Sequence, residues 1–163
     1  PQALARAQRQ ATSVAVGMID LDGFKQVNDT YGHEAGDRLL QQLGQRLQGL
    51  LRQTDYIARL GGDEFVVVLE GLTTAQATEQ AEVVLNTIHG AVEDSFVVAT
   101  GASAMVGMTL GLAFYPQDGT DAEHLLKNAD MAMYHAKHNK KTREKWWFLA
   151  SDLADDVPDT QLT

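Results

Sequence analysis

The sequence predicts an α+β domain in which helices cover a mostly antiparallel sheet. Three observations carry that expectation. Residues 14–19, Val-Ala-Val-Gly-Met-Ile, are apolar almost without interruption, as in a central strand covered on both faces. Residues 56–60 and 65–69 are short strand-like runs joined through Gly61-Gly62, as in a hairpin. Between and after these runs the apolar residues change to helical spacing. Leu39, Leu40, Leu43, Leu47 and Leu50 form one stripe, and Ala77, Ala81, Val84, Leu85 and Ile88 form another.

Taken in order, residues 2–11 are rich in Ala, Gln and Arg and suit a helix. The strand of residues 14–19 follows and ends at Asp20. A short helix is expected over 24–30, then the long leucine helix, then the hairpin. Thr73-Thr74-Ala75-Gln76 and Thr120-Asp121-Ala122-Glu123 both have capping-box spacing, each opening a helix. The second of these helices carries Leu125, Ala129, Met133 and Ala136 on one stripe. Residues 96–115 are expected to hold strand and turn, with 108–114 the strand. Residues 145–148, Lys-Trp-Trp-Phe, are expected to close the sheet. One domain over 1–150 and a mobile acidic tail over 151–163 account for the chain.

Composition narrows the function. Hydrophobic residues make up 44% of the 163, enough to build a core and to exclude a wholly disordered chain. Thirteen basic against 22 acidic residues give a net charge of −9, which argues against nucleic acid as a partner. A nucleotide held through metal ions and a few local cations remains compatible with that charge. With no cysteine, disulfides and thiolate metal sites are excluded, and a cytoplasmic location is expected. No run is long and apolar enough to span a bilayer, although a longer parent protein is free to be membrane-attached. The opening at Pro1 within helical composition is read as a fragment of such a protein.

The turn Gly61-Gly62-Asp63-Glu64-Phe65 combines two demands. Glycines permit a tight hairpin and close backbone approach to a ligand. Adjacent carboxylates at its tip are suited to a divalent cation. The antiparallel arrangement brings Asp20, at the end of the first strand, toward that tip.

Three further segments complete a pattern. Residues 19–29 read Ile-Asp-Leu-Asp-Gly-Phe-Lys-Gln-Val-Asn-Asp, residues 31–37 read Tyr-Gly-His-Glu-Ala-Gly-Asp, and residues 129–137 read Ala-Asp-Met-Ala-Met-Tyr-His-Ala-Lys. With the glycine-rich hairpin, their order and spacing over roughly residues 12–148 resemble the GGDEF family of diguanylate cyclases. The resemblance implies a palm-like fold with a five-stranded sheet. It also implies the reaction, in which two GTP are joined into cyclic di-GMP with release of two pyrophosphates. Two Mg²⁺ or Mn²⁺ per site are implied as cofactors, and a homodimer as the working unit, because each domain holds one GTP. An absent N-terminal sensory or dimerisation domain is implied as well, since the family's usual Leu-Thr-Gly-Leu-Pro-Asn-Arg segment does not occur.

By position in those motifs, Asp20, the Leu21 carbonyl, Asp63 and Glu64 are the implied metal ligands, with Asp63 and Glu64 catalytic. Phe24 and Lys25 open a helix whose free amides suit the β- and γ-phosphates. Asn28 and Asp37 match the guanine readers, and His33 lies at a position near the nucleotide. Lys137 matches the lysine that reaches the triphosphate, while Lys141 replaces an arginine and so keeps charge but not the bidentate fork. Asp22 is assigned a local turn or capping role. Arg52 and Asp55 match an inhibitory RxxD site that binds cyclic di-GMP. The competing readings are a non-catalytic module that binds GTP or cyclic di-GMP, and a different nucleotidyl cyclase on the same palm. The intact hairpin opposes the first and the guanine readers oppose the second.

Overall fold

The computed structural model describes residues 2–138 and 146–152. Its elements are α1 (Gln2–Gln10), β1 (Ser13–Asp22), α2 (Phe24–Tyr31), α3 (His33–Gln48), β2 (Tyr56–Gly61) and β3 (Glu64–Leu72). There follow a 3-10 turn (Thr74–Gln76), α4 (Ala77–Glu93), β4 (Phe96–Ala99), β5 (Ala102–Ala104), β6 (Gly107–Tyr115), α5 (Ala122–His138) and β7 (Trp147–Leu149). Five strands form one sheet in the order β2-β3-β1-β6-β7, antiparallel except where β7 runs parallel to β6. β4 and β5 form a separate small hairpin that the sequence reading merged into one strand-and-turn region.

The central position of β1 explains its apolar run. Successive side chains alternate between faces, and both faces are covered. Val14, Val16 and Met18 pack with Ala7 of α1 and with Leu125, Ala129 and Met133 of α5. Ala15, Ile19 and Leu21 pack on the other face with the leucines of α3 and with Leu85 and Ile88 of α4. Each fully buried leucine stabilises the fold by roughly 1.5–3 kcal/mol relative to exposure. The even-numbered face continues to Asp20, so this carboxylate points to the side covered by α5.

Two glycines fix the approach of helices to the sheet and to each other. A Cβ on Gly111 of β6 would lie 2.1 Å from the Ala129 carbonyl oxygen and 2.2 Å from the Met133 nitrogen. The backbone of α5 therefore rests directly on the sheet, and Lys137 follows Met133 by about one turn. A Cβ on Gly36 of α3 would lie 1.9 Å from Asn28 Oδ1 of α2.

Several local expectations shift. Leu50 lies beyond the end of α3 and is exposed, so the buried stripe stops at Leu47. The Gln76 amide donates to the Thr73 carbonyl at 2.9 Å, but the side chain that reaches back to Thr73 is that of Gln80, whose Oε1 accepts from the Thr73 amide at 2.8 Å. The 3-10 turn pushes the start of α4 onward and makes the later glutamine the reachable partner. At α5 the cap is Asp121 rather than Thr120, because Asp121 Oδ1 accepts from the His124 amide at 2.8 Å. Most of the tail, from residue 153 onward, and Lys141 lie outside the described residues.

Candidate active site

The hairpin tip is a two-residue turn of Gly62 and Asp63, with Gly61 opposite Glu64 in register. Gly62 has φ +50, a left-handed conformation that a side chain would strain. The tip does not hang free. Leu21 N–H donates to the Asp63 carbonyl at 3.0 Å, and Arg59 Nε donates to the Gly62 carbonyl at 3.0 Å. Asp20 is the register partner of Glu64 on one side and Thr109 on the other. Asp20, Asp63 and Glu64 are thereby gathered at one end of the sheet, as the sequence implied.

The electrostatics of this end are strained in a specific way. Asp20 is 5% exposed, and its Oδ1 is buried without a hydrogen-bond partner. Its Oδ2 is paired with the Lys137 ammonium of α5. Burial pushes the Asp20 carboxyl above the usual carboxylate range; Lys137 pulls it back, and the nearby Asp63 charge pushes it up again. Burial also lowers the Lys137 ammonium, but Asp20, Asp63 and Asp22 together more than offset this and leave it raised. Negative charge is thus in excess here, with a buried oxygen lacking a donor and a side-chain cation drawn in. That is a donor set suited to a hard divalent cation. Among the described residues, no three acidic or histidine side chains enclose such an ion by themselves. Its remaining ligands would be backbone carbonyl, water and substrate phosphate, the usual arrangement for Mg²⁺.

Asp22 is the last residue of β1, and both its oxygens accept from the Thr109 hydroxyl, at 3.0 and 2.9 Å. Its role is therefore a cross-strand one, not the local turn or cap that its neighbours in sequence had indicated. Thr109 is fully buried.

On the other side of the tip, Gly23 has φ +87 and turns the chain from β1 into α2. Phe24 is buried, Lys25 is exposed, and the first-turn amides of α2 have no intrahelical acceptors. Asn28 Oδ1 is buried without a partner. His33 and Asp37, both exposed, sit in the first two turns of α3. A cavity of about 520 Å³ lies between α3 and the hairpin, lined in part by Asp37, Leu40, Gly44, Ile57, Arg59 and Phe65. Its lining is mostly apolar with Asp37 and Arg59 as the charged members, a surface that suits one face of a planar ring.

Arg52 and Asp55 lie at the opposite end of β2. Arg52 Nε and Nη2 donate to the two Asp55 oxygens at 2.9 and 2.8 Å, and Nη2 also donates to the Glu70 carbonyl at 3.2 Å. The Asp55 side chain is 0% exposed and that of Arg52 is 51% exposed. The pair is thus closed on itself, with the Asp55 hydrogen bonds holding the guanidinium's proton more tightly than usual.

The sequence assigned no role to Gly36, Thr109, Arg59 or Gly111, although Gly36 lies within a motif and Thr109 stands where the family often has serine. A glycine inside a helix or strand was the available signal for two of them.

The family profile described as "Diguanylate cyclase, GGDEF domain" matches residues 1–143. The chain belongs to the GGDEF family. Over 136 residues it is 43% identical to the bifunctional diguanylate cyclase/cyclic di-GMP phosphodiesterase MucR of Pseudomonas aeruginosa, covering 83% of this chain and 19% of that protein. It is 38% identical over 143 residues to the diguanylate cyclase TpbB of the same species, covering 85% of this chain and 32% of that one. The chain thus spans less than a third of these relatives. The crystal structure of the GGDEF domain of TpbB superposes with a TM-score of 0.81 at 36% identity, covering 91% of this chain and 88% of that one. This GGDEF domain therefore shares the five-stranded, mostly antiparallel α+β fold expected for it. Among its described residues, no helix is long and apolar enough to cross a membrane.

Proposed function

We propose that this domain condenses two GTP into cyclic di-GMP, working as a homodimer. The observation that carries the reading is the meeting of Asp20 and Asp63 at the hairpin tip, with Asp20 Oδ1 buried and lacking a donor. In each half of the reaction the 3′-hydroxyl oxygen of one GTP bonds to the α-phosphorus of the other. The α-phosphorus to bridging-oxygen bond breaks, and pyrophosphate leaves. The hydroxyl proton passes to a carboxylate at the tip, Asp63 being the nearer to the loop and Glu64 its neighbour.

Asp20, Asp63, Glu64 and the Leu21 carbonyl would hold the divalent cations. Mg²⁺ or Mn²⁺ bound there supplies charge neutralisation for the α-phosphate and a more acidic hydroxyl. The remaining work falls to the protein. The α2 amides at Phe24 and Lys25 bind the terminal phosphates. Lys137 reaches the triphosphate once it leaves Asp20, and Lys141 adds charge. Asn28 and Asp37 pair with donors on the guanine edge, with His33 alongside. One domain positions one GTP, so a second domain must present its own across the site. Arg52 and Asp55 are the proposed seat of product inhibition, with the exposed side of the Arg52 guanidinium facing the ligand phosphate.

The test is direct. The domain is incubated with GTP and Mg²⁺ over a hundredfold range of protein concentration, and cyclic di-GMP is measured by mass spectrometry. The expected result is product whose yield per domain rises with concentration. Binding of GTP without product at any concentration would favour the non-catalytic binding module instead.

A further inference from the structure

Gly36 sits in the first turn of α3, and glycine is a poorer helix former than alanine. Such a residue needs a reason. Glycines in helices elsewhere in this chain have room to spare, since a Cβ on Gly44 or Gly90 would meet nothing within 4 Å. At Gly36 it would meet Asn28 Oδ1 at 1.9 Å, Asn28 Cγ at 2.9 Å and Phe24 Cζ at 3.2 Å. Phe24 and Asn28 are one turn apart on α2, so the missing Cβ is the notch into which one face of α2 settles.

The two contacts differ in kind. Phe24 needs to give only by a few tenths of an ångström. Asn28 cannot stay where it is, yet its carboxamide is the end of a side chain that can swing away. An added methyl group would therefore leave the helix pair assembled and displace the carboxamide. The displaced oxygen is the unusual one, because Asn28 Oδ1 is buried with no hydrogen-bond donor in reach. A buried acceptor without a donor is costly and rare in a settled interior. It is explained if a ligand N–H completes it. Asp37, whose carboxylate is exposed, is the next residue after Gly36.

We infer that Gly36 is a positioning residue for base selection: its missing Cβ holds the Asn28 carboxamide in line with Asp37, so that both accept from one purine edge. This rests on the reading of the site as a GTP site and adds the element that sets its base preference. An alanine at 36 would act on nucleotide choice through Asn28 alone.

The experiment measures binding of the α,β-methylene analogues of GTP and ATP by calorimetry, in the presence of Mg²⁺. These analogues cannot release pyrophosphate, so turnover does not intrude. Four proteins are compared: the parent, Gly36→Ala, Asn28→Ala and the double variant. Gly90→Ala, on α4 and away from the site, serves as the control for alanine in a helix. Circular dichroism and the thermal midpoint check the fold of each. The parent and Gly90→Ala should prefer the guanine analogue. Gly36→Ala should lose about tenfold of that preference, as expected for one unmade hydrogen bond, with an unchanged fold. The double variant should be no worse than Asn28→Ala. An unchanged preference in Gly36→Ala, or losses that multiply in the double variant, would overturn the positioning role while leaving the GTP site intact. A loss of fold in Gly36→Ala that Asn28→Ala does not relieve would also overturn it, since Gly36 would then be a packing residue. A parent that does not distinguish the two analogues would sink the GTP reading itself, and this inference with it.

Discussion

The two ends of the β2–β3 hairpin carry charged motifs of similar size and opposite character. At the tip, Asp20 and Asp63 crowd one another, one oxygen of Asp20 has no donor, and a lysine from α5 is drawn in. At the base, Arg52 and Asp55 are paired through a bidentate fork, with Asp55 also accepting from the Arg52 amide and the guanidinium half-exposed. The tip gives up stability to a buried oxygen without a donor, which the proposed cation would complete, while the base holds its two charges paired. Removing a charge at the tip should therefore cost function and little stability. Removing one at the base should cost stability and little initial rate.

The largest contrast is expected from Asp63→Ala. Asp63 lies in the turn and contributes no side chain to either core cluster. Its loss should lower cyclic di-GMP formation about 10²–10³-fold, the scale for removing one electrostatic element of a site. The thermal midpoint should stay within a degree or two or rise, because a repulsive neighbour of Asp20 is gone. A folded variant that turns over at the parental rate would remove Asp63 from the chemistry.

Asp37→Ala comes next. It should narrow the GTP-over-ATP preference by roughly tenfold, since an unmade polar contact to a base is worth about 1–3 kcal/mol. Asp37 is exposed and makes no core contact, so stability should not change. Competition between the two nucleotides in a single assay reads the ratio directly, and an unchanged ratio would exclude Asp37 from base selection.

Lys137→Gln separates two roles of one residue. Without the ammonium on Asp20, Mn²⁺ should bind the nucleotide-free protein about fivefold more tightly, which corresponds to ~1 kcal/mol for an ion pair whose cation is about half-exposed. Cyclic di-GMP formation should nevertheless fall, because the same ammonium is proposed to grip phosphate. Electron paramagnetic resonance of free Mn²⁺ measures the first effect. Weaker Mn²⁺ binding in the variant would show that Lys137 supports the cation site rather than competing for it.

The parts of this molecule that were legible in its sequence are those governed by local pattern. The apolar run before Asp20 announced a doubly covered central strand, and the glycines at 61 and 62 announced a hairpin. Motif spacing was enough to imply which carboxylates belong together. What was hidden depends on which face meets which. Thr109 reaches Asp22 across 87 residues only through the β1–β6 register. Gly36 and Gly111 matter because another backbone or side chain occupies the space a Cβ would fill. The side chain that returns to the Thr73 amide is that of Gln80 rather than Gln76, because a 3-10 turn delayed the helix. None of these is visible until the elements are docked. The closed state of Arg52 and Asp55 belongs to the same class, since a motif gives the residues but not whether they already satisfy one another.

The base of the hairpin yields the smallest expected change in rate and the clearest change in stability. In Arg52→Ala the Asp55 carboxylate, wholly covered in the parent, loses both donors of the fork. A buried acceptor left unmade costs about 1–3 kcal/mol. Arg52 is half-exposed, so water enters where it stood and the low end of that range, ~1 kcal/mol, is expected. For a domain of this size that lowers the thermal midpoint by roughly 2–4 °C. Arg52→Lys should recover part of it, because the charge returns without the second parallel hydrogen bond. The initial rate of product formation should stay near the parental value, since the fork lies at the far end of β2 from the tip. The same variant should no longer bind cyclic di-GMP by calorimetry, and inhibition by added product should disappear. Two readouts thus move together for separate reasons, stability through Asp55 and feedback through the lost guanidinium. Asp55→Asn divides them: it keeps the arginine free for phosphate, and it should retain more product binding than Arg52→Ala at a similar loss of stability. If Arg52→Ala is destabilised yet binds cyclic di-GMP as tightly as the parent, the pair is a structural clasp for the start of β2 and not a product site.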